Sequence, residues 1–198
     1  MSLRALLERI NGYIQFAGGL HIRGACLAPS WHSLRRAWEG EEAFYRHYEA
    51  VLKEDIPFGQ DCVGDQFLLR SNSIIKLHAE TGDTEELGIT FTAFLEAVQH
   101  DPVEMLSLYP LLQFREQNRR LLPGELLSVY PPFCTEEAAG GVQLDAIRAE
   151  DRLSFLFDLS KRLNGIAGGT QLAIEVQEHS VPPTNVSPTE LSSHALPN

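Results

Sequence analysis

The sequence predicts an α+β fold, in which a largely antiparallel sheet is flanked by helices within a single domain. Pairs of short apolar runs are separated by small polar or glycine-rich breaks, which is the pattern of β-hairpins. Helix-periodic segments surround these hairpins without a regular strand–helix–strand alternation, which favours α+β over α/β. The composition, 43% hydrophobic and 22% charged over 198 residues, is that of a globular chain able to bury a core.

The first predicted elements are a helix and a hairpin. Apolar residues at i, i+3, i+4 and i+7 predict a helix with one buried face: Leu3, Leu6, Leu7 and Ile10. Asn11 and Gly12 end this helix, because both residues tolerate the left-handed conformation. Residues 13–16 and 20–22 then predict two short strands around a glycine pair.

Aromatic side chains concentrate in the region that follows. Ser30 is placed to cap a short helix, and residues 39–53 predict a longer, charged helix. Trp38 and Phe44 are expected in the core. The sequence leaves open whether three further residues face the core or a protein partner, since Trp and Tyr are often only partly buried: Trp31, Tyr45 and Tyr48.

The middle of the chain combines turn residues with strand-like runs. Gly59 and Gly64 mark a predicted loop over residues 59–65, which contains Asp61 and Asp65. The elements that follow are, in order, a hairpin around residues 71–73, a turn at 80–83 and a helix over 90–99.

The C-terminal half predicts fewer and less regular elements. In order, they are a short helix capped by Asp101 and stopped at Pro110, strands over 126–130 and 142–144, a helix over 150–163 and a strand over 171–176. Residues 1–178 are expected to form the domain. Residues 179–198 are rich in Pro, Ser and Thr, which predicts a disordered tail.

Three short motifs follow one another in the middle of the chain. They are Ile56-Pro57-Phe58-Gly59, then Gly64-Asp65-Gln66-Phe67, and, after the predicted hairpin and acidic turn, Thr90-Phe91-x-x-Phe94-Leu95. This ordered series resembles the SUKH superfamily, with weaker similarity at residues 3–12 and 126–133. The superfamily groups fungal regulators of cell-wall glucan synthesis with bacterial immunity proteins that neutralise secreted toxins. The resemblance implies an α+β domain that acts by binding another protein.

The chain is acidic, with a formal net charge of −11 and a pI near 5.0. Binding to nucleic acid is disfavoured, because phosphate contacts require a basic face. An acidic surface instead suits a basic protein partner. In the immunity interpretation a nuclease toxin is such a partner, because a nuclease needs positive charge to hold its substrate.

Cysteine spacing and hydropathy indicate in which cellular compartment the protein is expected. The three cysteines are widely spaced and form no C-x-x-C motif, which predicts reduced thiols: Cys26, Cys62 and Cys134. The sequence shows neither a secretory signal pattern nor an apolar run of the roughly 20 residues that a membrane span needs. We therefore expect a cytoplasmic protein with no membrane segment and no cofactor.

Four carboxylates are the strongest candidates for chemistry. The hairpin brings the loop with Asp61 and Asp65 towards the turn with Glu80 and Asp83. Clustered carboxylates suit Mg²⁺, Ca²⁺ or acid–base catalysis. The spacing does not match an EF-hand, however, and Asp beside Gly is ordinary turn chemistry. A structural role is the favoured interpretation, and a metal-dependent hydrolase is the alternative.

The predicted function is a non-enzymatic protein-interaction module, of the immunity type that binds and neutralises a secreted toxin. A regulatory scaffold is a further alternative, because the resemblance covers both roles. No catalytic or metal-binding residue is assigned. The residues expected to bind a partner are aromatic or acidic: Trp31, Glu41, Glu42, Tyr45, Asp61, Asp65, Glu80, Asp83, Glu85 and Glu86.

Overall fold

The computed structural model describes residues 1–165, and its centre is a six-stranded sheet in which all neighbouring strands are antiparallel. The strands lie side by side in chain order: β1 Tyr13–Gln15, β2 Leu20–Ile22, β3 Ile56–Asp61, β4 Gln66–Arg70, β5 Ser73–Leu77 and β6 Thr84–Glu86. A separate antiparallel pair consists of β7 Glu125–Tyr130 and β8 Gln143–Arg148. The predicted α+β class is confirmed.

Six α-helices accompany the sheets in the described part of the chain. They are α1 Leu3–Arg9, α2 Leu34–Glu39, α3 Phe91–His100, α4 Pro102–Met105, α5 Tyr109–Glu116 and α6 Ala149–Asn164. Four helices begin after a side chain that accepts a hydrogen bond from the backbone N–H three residues later: Ser2, Ser33, Thr90 and Asp101. Between residues 1 and 165, no helix is both long and apolar enough to cross a membrane.

The large sheet is covered on both faces, because successive side chains of a strand point to opposite sides. Phe67 belongs to the apolar cluster that includes Phe94 of α3, whereas the next residue, Leu68, belongs to the cluster that includes Leu156 of α6. The central strands are therefore apolar at consecutive positions instead of alternating with polar ones.

The helix predicted over residues 39–53 is wrong. α2 ends at Glu39, and the chain then forms turns and a short 3-10 helix over Phe44–Arg46. Asp55 explains the change, since its carboxylate accepts a hydrogen bond from the Leu52 N–H at 2.8 Å and holds the end of the segment in a turn. Phe44 is buried as predicted.

The structure also differs from the predictions in smaller details of burial and of element boundaries. Trp38 is only half-buried, and its indole N–H donates to the carbonyl of Lys53. Pro110 does not end a helix but lies in the first turn of α5, where proline's missing N–H is tolerated. β3 continues through Asp61, so the loop that follows is shorter than predicted. Glu85 belongs to a strand, β6, instead of a turn.

The strands predicted over 126–130 and 142–144 and the helix predicted over 150–163 are confirmed. α6 matches the helix predicted over 150–163, and β8 is longer than the strand predicted over 142–144. The strand predicted over 171–176, the domain boundary at 178 and the tail over 179–198 lie outside the described residues.

A buried guanidinium stabilises the middle of the large sheet. The register of β3 against β4 shifts between Pro57 and Gly59, and Arg23 Nη1 donates to both of their carbonyls, at 2.8 and 3.4 Å. Arg23 Nη2 donates to the side-chain oxygens of Gln60 and Gln66, both at 2.7 Å. All four acceptors are uncharged, and burial lowers the pKa of Arg23 to about 9.

Replacing this guanidinium tests its contribution. Arg23→Met leaves four buried oxygen atoms without their donor, so we expect the free energy of unfolding to fall by about 4 kcal/mol in urea denaturation. The exposed Arg115→Met is the control, and it should change that free energy by less than about 0.5 kcal/mol. Equal losses in the two variants would show that the irregular register does not depend on Arg23.

Candidate functional site

Three of the four carboxylates that the sequence places near the central hairpin do meet, but they meet basic side chains as well. We call this group the charged cluster; its members are Asp61, Asp65, Lys76, His78, Glu80 and Arg152. Asp83, the fourth predicted carboxylate, is exposed and is not part of the cluster.

Asp61, the last residue of β3, holds the loop that follows it. Its Oδ1 accepts three backbone hydrogen bonds, each 3.0 Å long, from the N–H groups of Val63, Gly64 and Asp65. Its Oδ2 is buried and has no hydrogen-bond partner among residues 1–165. The side chain is 99% hidden from solvent, since the residue is only 1% exposed.

Asp65, which directly precedes β4, contacts residues in β5 and just after it. Its Oδ1 accepts from the backbone N–H of Ala79 at 2.9 Å. Its Oδ2 lies 3.6 Å from Lys76 Nζ and 3.6 Å from His78 Nδ1. The carboxylate therefore has a hydrogen-bonding or charged neighbour on each oxygen.

Glu80 joins the turn after β5 to α6. One of its oxygens lies 3.3 Å from Arg152 Nη2, and the other accepts from the backbone N–H of Cys134 at 2.9 Å. Arg152 is buried in α6, and its Nε donates to the carbonyl of Val63 at 3.1 Å. Its Nη1 is buried without a partner in the described part of the chain.

The surroundings of the cluster shift the pKa values of its two aspartates in opposite directions. Burial, together with the charge of Asp65, raises the pKa of Asp61 to about 7. Burial acts in the same direction on Asp65, but hydrogen bonds from His78 and Ala79 outweigh it, and the pKa of Asp65 is lowered. The hydrogen bond to Asp65 raises the pKa of His78. Asp61 is thus the carboxyl group that holds a proton most readily.

This arrangement suits a structural role better than catalysis. Cations and backbone donors occupy the carboxylate oxygens, apart from Asp61 Oδ2. Within residues 1–165, no group of three or more His, Cys, Asp or Glu side chains has the geometry to hold a metal ion. Asp61 and Glu80 are at most 9% exposed, so a protein partner cannot reach them without rearrangement.

The predicted acidic residues that remain exposed near the hairpin lie along one edge of the large sheet. β6 is the outer strand on this side, and Glu85 and Glu86 are exposed on it. The exposed Asp83 directly precedes this strand. Glu85 lies 3.6 Å from His78 Nε2, whereas Glu86 forms no ion pair within the described residues. Charged side chains on an edge strand also discourage unwanted strand pairing.

Three other predicted residues line a cavity, which we call the Trp31 cavity. Trp31, Glu41 and Glu42 surround a volume of about 210 Å³, together with Arg23, His47 and Phe157. The cavity lies between the segment that precedes β3 and α6. Tyr45, the remaining predicted residue, does not line it; its half-buried ring lies 5.3 Å from the guanidinium carbon of Arg46.

Charges surround the mouth of the Trp31 cavity. Arg36 lies 3.0 Å from Glu42 in an ion pair that is about half exposed on both sides. Glu150 accepts a hydrogen bond from Ser30 and lies 2.6 Å from Arg148, and these contacts lower its pKa. Among the described residues, Glu41 forms no ion pair and is exposed.

Sequence reasoning missed the basic residues that organise both regions. Arg23 directly follows an apolar strand, and Arg152 lies at i−4 from Leu156 and i−7 from Leu159, on the buried stripe of α6. This helical spacing was the available signal for Arg152. The contact between His21 and His32, at 2.7 Å, has no signal of ligand-type spacing in the sequence.

The raised pKa of Asp61 predicts a pH-dependent stability. Between its unfolded value of 3.8 and its folded value of about 7, the folded protein binds a proton that the unfolded chain releases, so this group's contribution to stability falls as pH rises. Asp61→Asn retains an oxygen for the three backbone donors but cannot titrate. We therefore expect the variant to gain on the order of 2 kcal/mol relative to the wild type from pH 5 to pH 8 in urea denaturation.

A second substitution controls for the loss of the loop contacts. Asp61→Ala removes all three hydrogen bonds and should lower the free energy of unfolding by about 3 kcal/mol at pH 5. A constant difference between Asp61→Asn and the wild type across this pH range would contradict the assignment of the titration to Asp61.

Comparisons with known proteins add no relative, since no family model, no curated protein and no solved structure matches this chain.

Proposed function

We propose that this protein is a non-enzymatic interaction module of the immunity type, which binds a basic protein partner such as a secreted nuclease toxin. The observation that carries the proposal is the division of the acidic residues. In the charged cluster, Asp65 and Glu80 lie against Lys76 and Arg152, and Asp61 is buried. A second set stays in solvent and is available to a partner: Glu41, Glu42, Asp83, Glu85 and Glu86.

Packing links the two parts of this exposed acidic set. The ring of Phe157, on α6, stacks on His47 with 3.9 Å between centroids and packs edge-on against Tyr48 at 5.6 Å. The hydroxyl of Tyr48 donates to the carbonyl of Ala79 at 2.9 Å, next to the turn that leads into β6. This packed unit therefore connects the segment that carries Glu41 and Glu42 to the turn before β6, and exposed carboxylates of either group would attract a basic surface.

The resemblance to the SUKH superfamily supports the same proposal, because its bacterial members neutralise toxins by binding them. A regulatory scaffold would use the same surface on a partner that is not toxic. The hydrolase alternative needs free carboxylates, but in the charged cluster Asp65 and Glu80 are paired with Lys76 and Arg152, and Asp61, whose Oδ2 has no partner within residues 1–165, is buried.

The experiment is partner capture from the native cells at moderate salt, followed by a toxicity assay. We expect a basic protein to co-purify with this chain at a fixed stoichiometry, and its expression alone to be toxic unless this chain is co-expressed. Two double charge reversals, Glu85→Lys with Glu86→Lys and Glu41→Lys with Glu42→Lys, should locate the binding face. We expect at least one of them to weaken binding ten-fold or more, because opposed charges are replaced by like charges.

The control has the same change in net charge at another place. Glu96→Lys with Glu116→Lys reverses two exposed carboxylates on α3 and α5, which form no ion pairs within residues 1–165. This control should leave binding within about two-fold at moderate salt. Equal effects of all three double variants would indicate a net-charge effect, and capture of a non-toxic regulator would replace the immunity role with the scaffold role.

A further inference from the structure

A series of hydrogen bonds runs from the buried Arg23 to the backbone at Asn11. Arg23 Nη2 donates to Gln60 Oε1 at 2.7 Å, and Gln60 Nε2 lies 3.3 Å from His21 Nδ1. His21 Nε2 lies 2.7 Å from His32 Nδ1, and His32 Nε2 lies 3.1 Å from the carbonyl oxygen of Asn11. We call these five residues the histidine network.

Both ends of the histidine network fix the direction of its hydrogen bonds. The guanidinium of Arg23 can only donate, so it holds Gln60 Oε1 as an acceptor and leaves the amide N–H of Gln60 to donate to His21 Nδ1. At the other end the carbonyl of Asn11 can only accept, so His32 Nε2 carries the hydrogen and His32 Nδ1 carries the lone pair. His21 Nε2–H therefore donates to His32 Nδ1, and each ring has one donor and one acceptor, as in neutral imidazole.

The ring of His32 occupies a space that two glycines leave open. A Cβ at Gly12 would lie 2.6 Å from His32 Cε1, and a Cβ at Gly24 would lie 2.6 Å from His32 Nε2. Gly12 also has a φ of +80°, which favours glycine. The backbone N–H of Gly24 donates to the carbonyl of His32 at 2.9 Å. The ring is therefore held between the segment after α1 and the segment after β2.

Trp31 packs on the two histidine rings. The centre of its ring lies 5.2 Å from that of His21 and 5.4 Å from that of His32. On another side it contacts Gly124, where a Cβ would lie 2.9 Å from the indole Nε1. Trp31 lines both the Trp31 cavity and a second cavity of about 170 Å³. The position of the indole therefore depends in part on the two histidines.

Neither histidine can gain a proton in place without losing a hydrogen bond. A proton on His32 Nδ1 would face the Nε2–H of His21, across a distance of 2.7 Å. Moving the hydrogen of His21 from Nε2 to Nδ1 would relieve that contact, but it would then face the amide N–H of Gln60. The amide of Gln60 cannot reverse, because its oxygen accepts from Arg23. The conflict therefore has no solution within the network.

The charged groups that face the two rings do not favour a proton there. Burial, followed by the charges of Arg23 and His32, lowers the pKa of His21 to about 3. Glu125 of β7 lines the second cavity together with His21, but its carboxylate accepts from the Leu122 N–H at 2.8 Å. Between about pH 3 and pH 6.5 the unfolded chain binds a proton that folded His21 excludes, so this contribution to stability falls as pH falls.

We propose that the histidine network is an acid-sensitive switch that controls the position of Trp31. At neutral pH the network keeps His32 between Gly12 and Gly24, with Trp31 packed on both rings. His32 is only half-buried, so solvent can protonate its Nδ1 whenever the hydrogen bond to His21 opens, and the charged ring cannot return. Trp31 then loses its packing and turns towards solvent, which changes both cavities. The switch goes beyond the proposed function and does not depend on it, because every member belongs to this chain.

The fluorescence of Trp31 in the full-length Trp38→Phe protein tests the switch, because Trp31 is then the remaining tryptophan of the two in the chain. Emission wavelength and quenching by acrylamide are followed from about pH 7.5 to about pH 5, the range in which histidine titrates. Far-UV circular dichroism verifies that the chain stays folded.

We expect the emission to shift to longer wavelength and acrylamide to quench more strongly as pH falls. Below about pH 6.5 the ratio of open to closed molecules should rise about ten-fold per pH unit, as for the uptake of one proton. A loss of intensity without a wavelength shift or stronger quenching would mean that Trp31 has not moved, and it would overturn the switch. An emission spectrum that is constant with pH would overturn it as well.

Two glutamine variants identify the histidine that responds. His32→Gln keeps a donor and an acceptor on the side chain but cannot gain a proton, so Trp31 emission should no longer change with pH. His47→Gln is the control, because His47 lines the Trp31 cavity but lies outside the histidine network. It should respond as the parent protein does. A response that His32→Gln retains, or that His47→Gln loses, would contradict the assignment to His32.

Nitrogen NMR of the imidazole rings in the wild type tests the switch without a substitution at the network. At about pH 7.5 both His21 and His32 should carry hydrogen on Nε2 and a lone pair on Nδ1. On acidification, His32 should become doubly protonated in the same pH range in which Trp31 emission shifts. Hydrogen on Nδ1 of either ring at neutral pH, or protonation of His32 without a change at Trp31, would overturn the proposal.

Discussion

The large sheet depends on one buried cation. The register of β3 against β4 shifts between Pro57 and Gly59, and Arg23 donates to the carbonyls of both residues. Burying a guanidinium without a carboxylate is costly, and four oxygen acceptors offset that cost by replacing the water it loses. The same group closes the inner end of the Trp31 cavity. A single residue therefore contributes both to the geometry of the sheet and to the charge inside the cavity.

The carboxylates of this chain serve two physically different purposes. In the charged cluster, Asp65 and Glu80 are held by cations and backbone donors, so their charge is balanced locally. At the sheet edge and at the cavity mouth, carboxylates are exposed to solvent, where they can attract a basic partner before contact. Formal net charge does not separate these two sets, because it counts a paired carboxylate and a solvated one equally.

The features that the sequence predicted correctly depend on residues that are close together in the chain. The two hairpins of the large sheet and the cap at Asp101 rest on neighbouring residues, and these predictions are confirmed. The helix over 39–53 failed because Asp55, which holds the end of that segment, is itself fixed by Arg70, 15 residues further on.

The candidate site was predictable only in part, for the same physical reason. Its acidic and aromatic members could be named from residue type, but their burial depends on distant partners. Arg23 reaches acceptors 34 to 43 residues away, and no local pattern marks this arginine for the interior. Arg152 of α6 contacts Glu80, which is 72 residues earlier in the chain. During synthesis, the sheet therefore emerges from the ribosome before the helix that covers it. Until α6 has left the ribosome, the sheet face formed by Leu68 and Ile75 lacks the Leu156 side of its apolar cluster. The nascent chain therefore exposes this apolar face for as long as α6 is missing, and a chaperone can cover the face during that time.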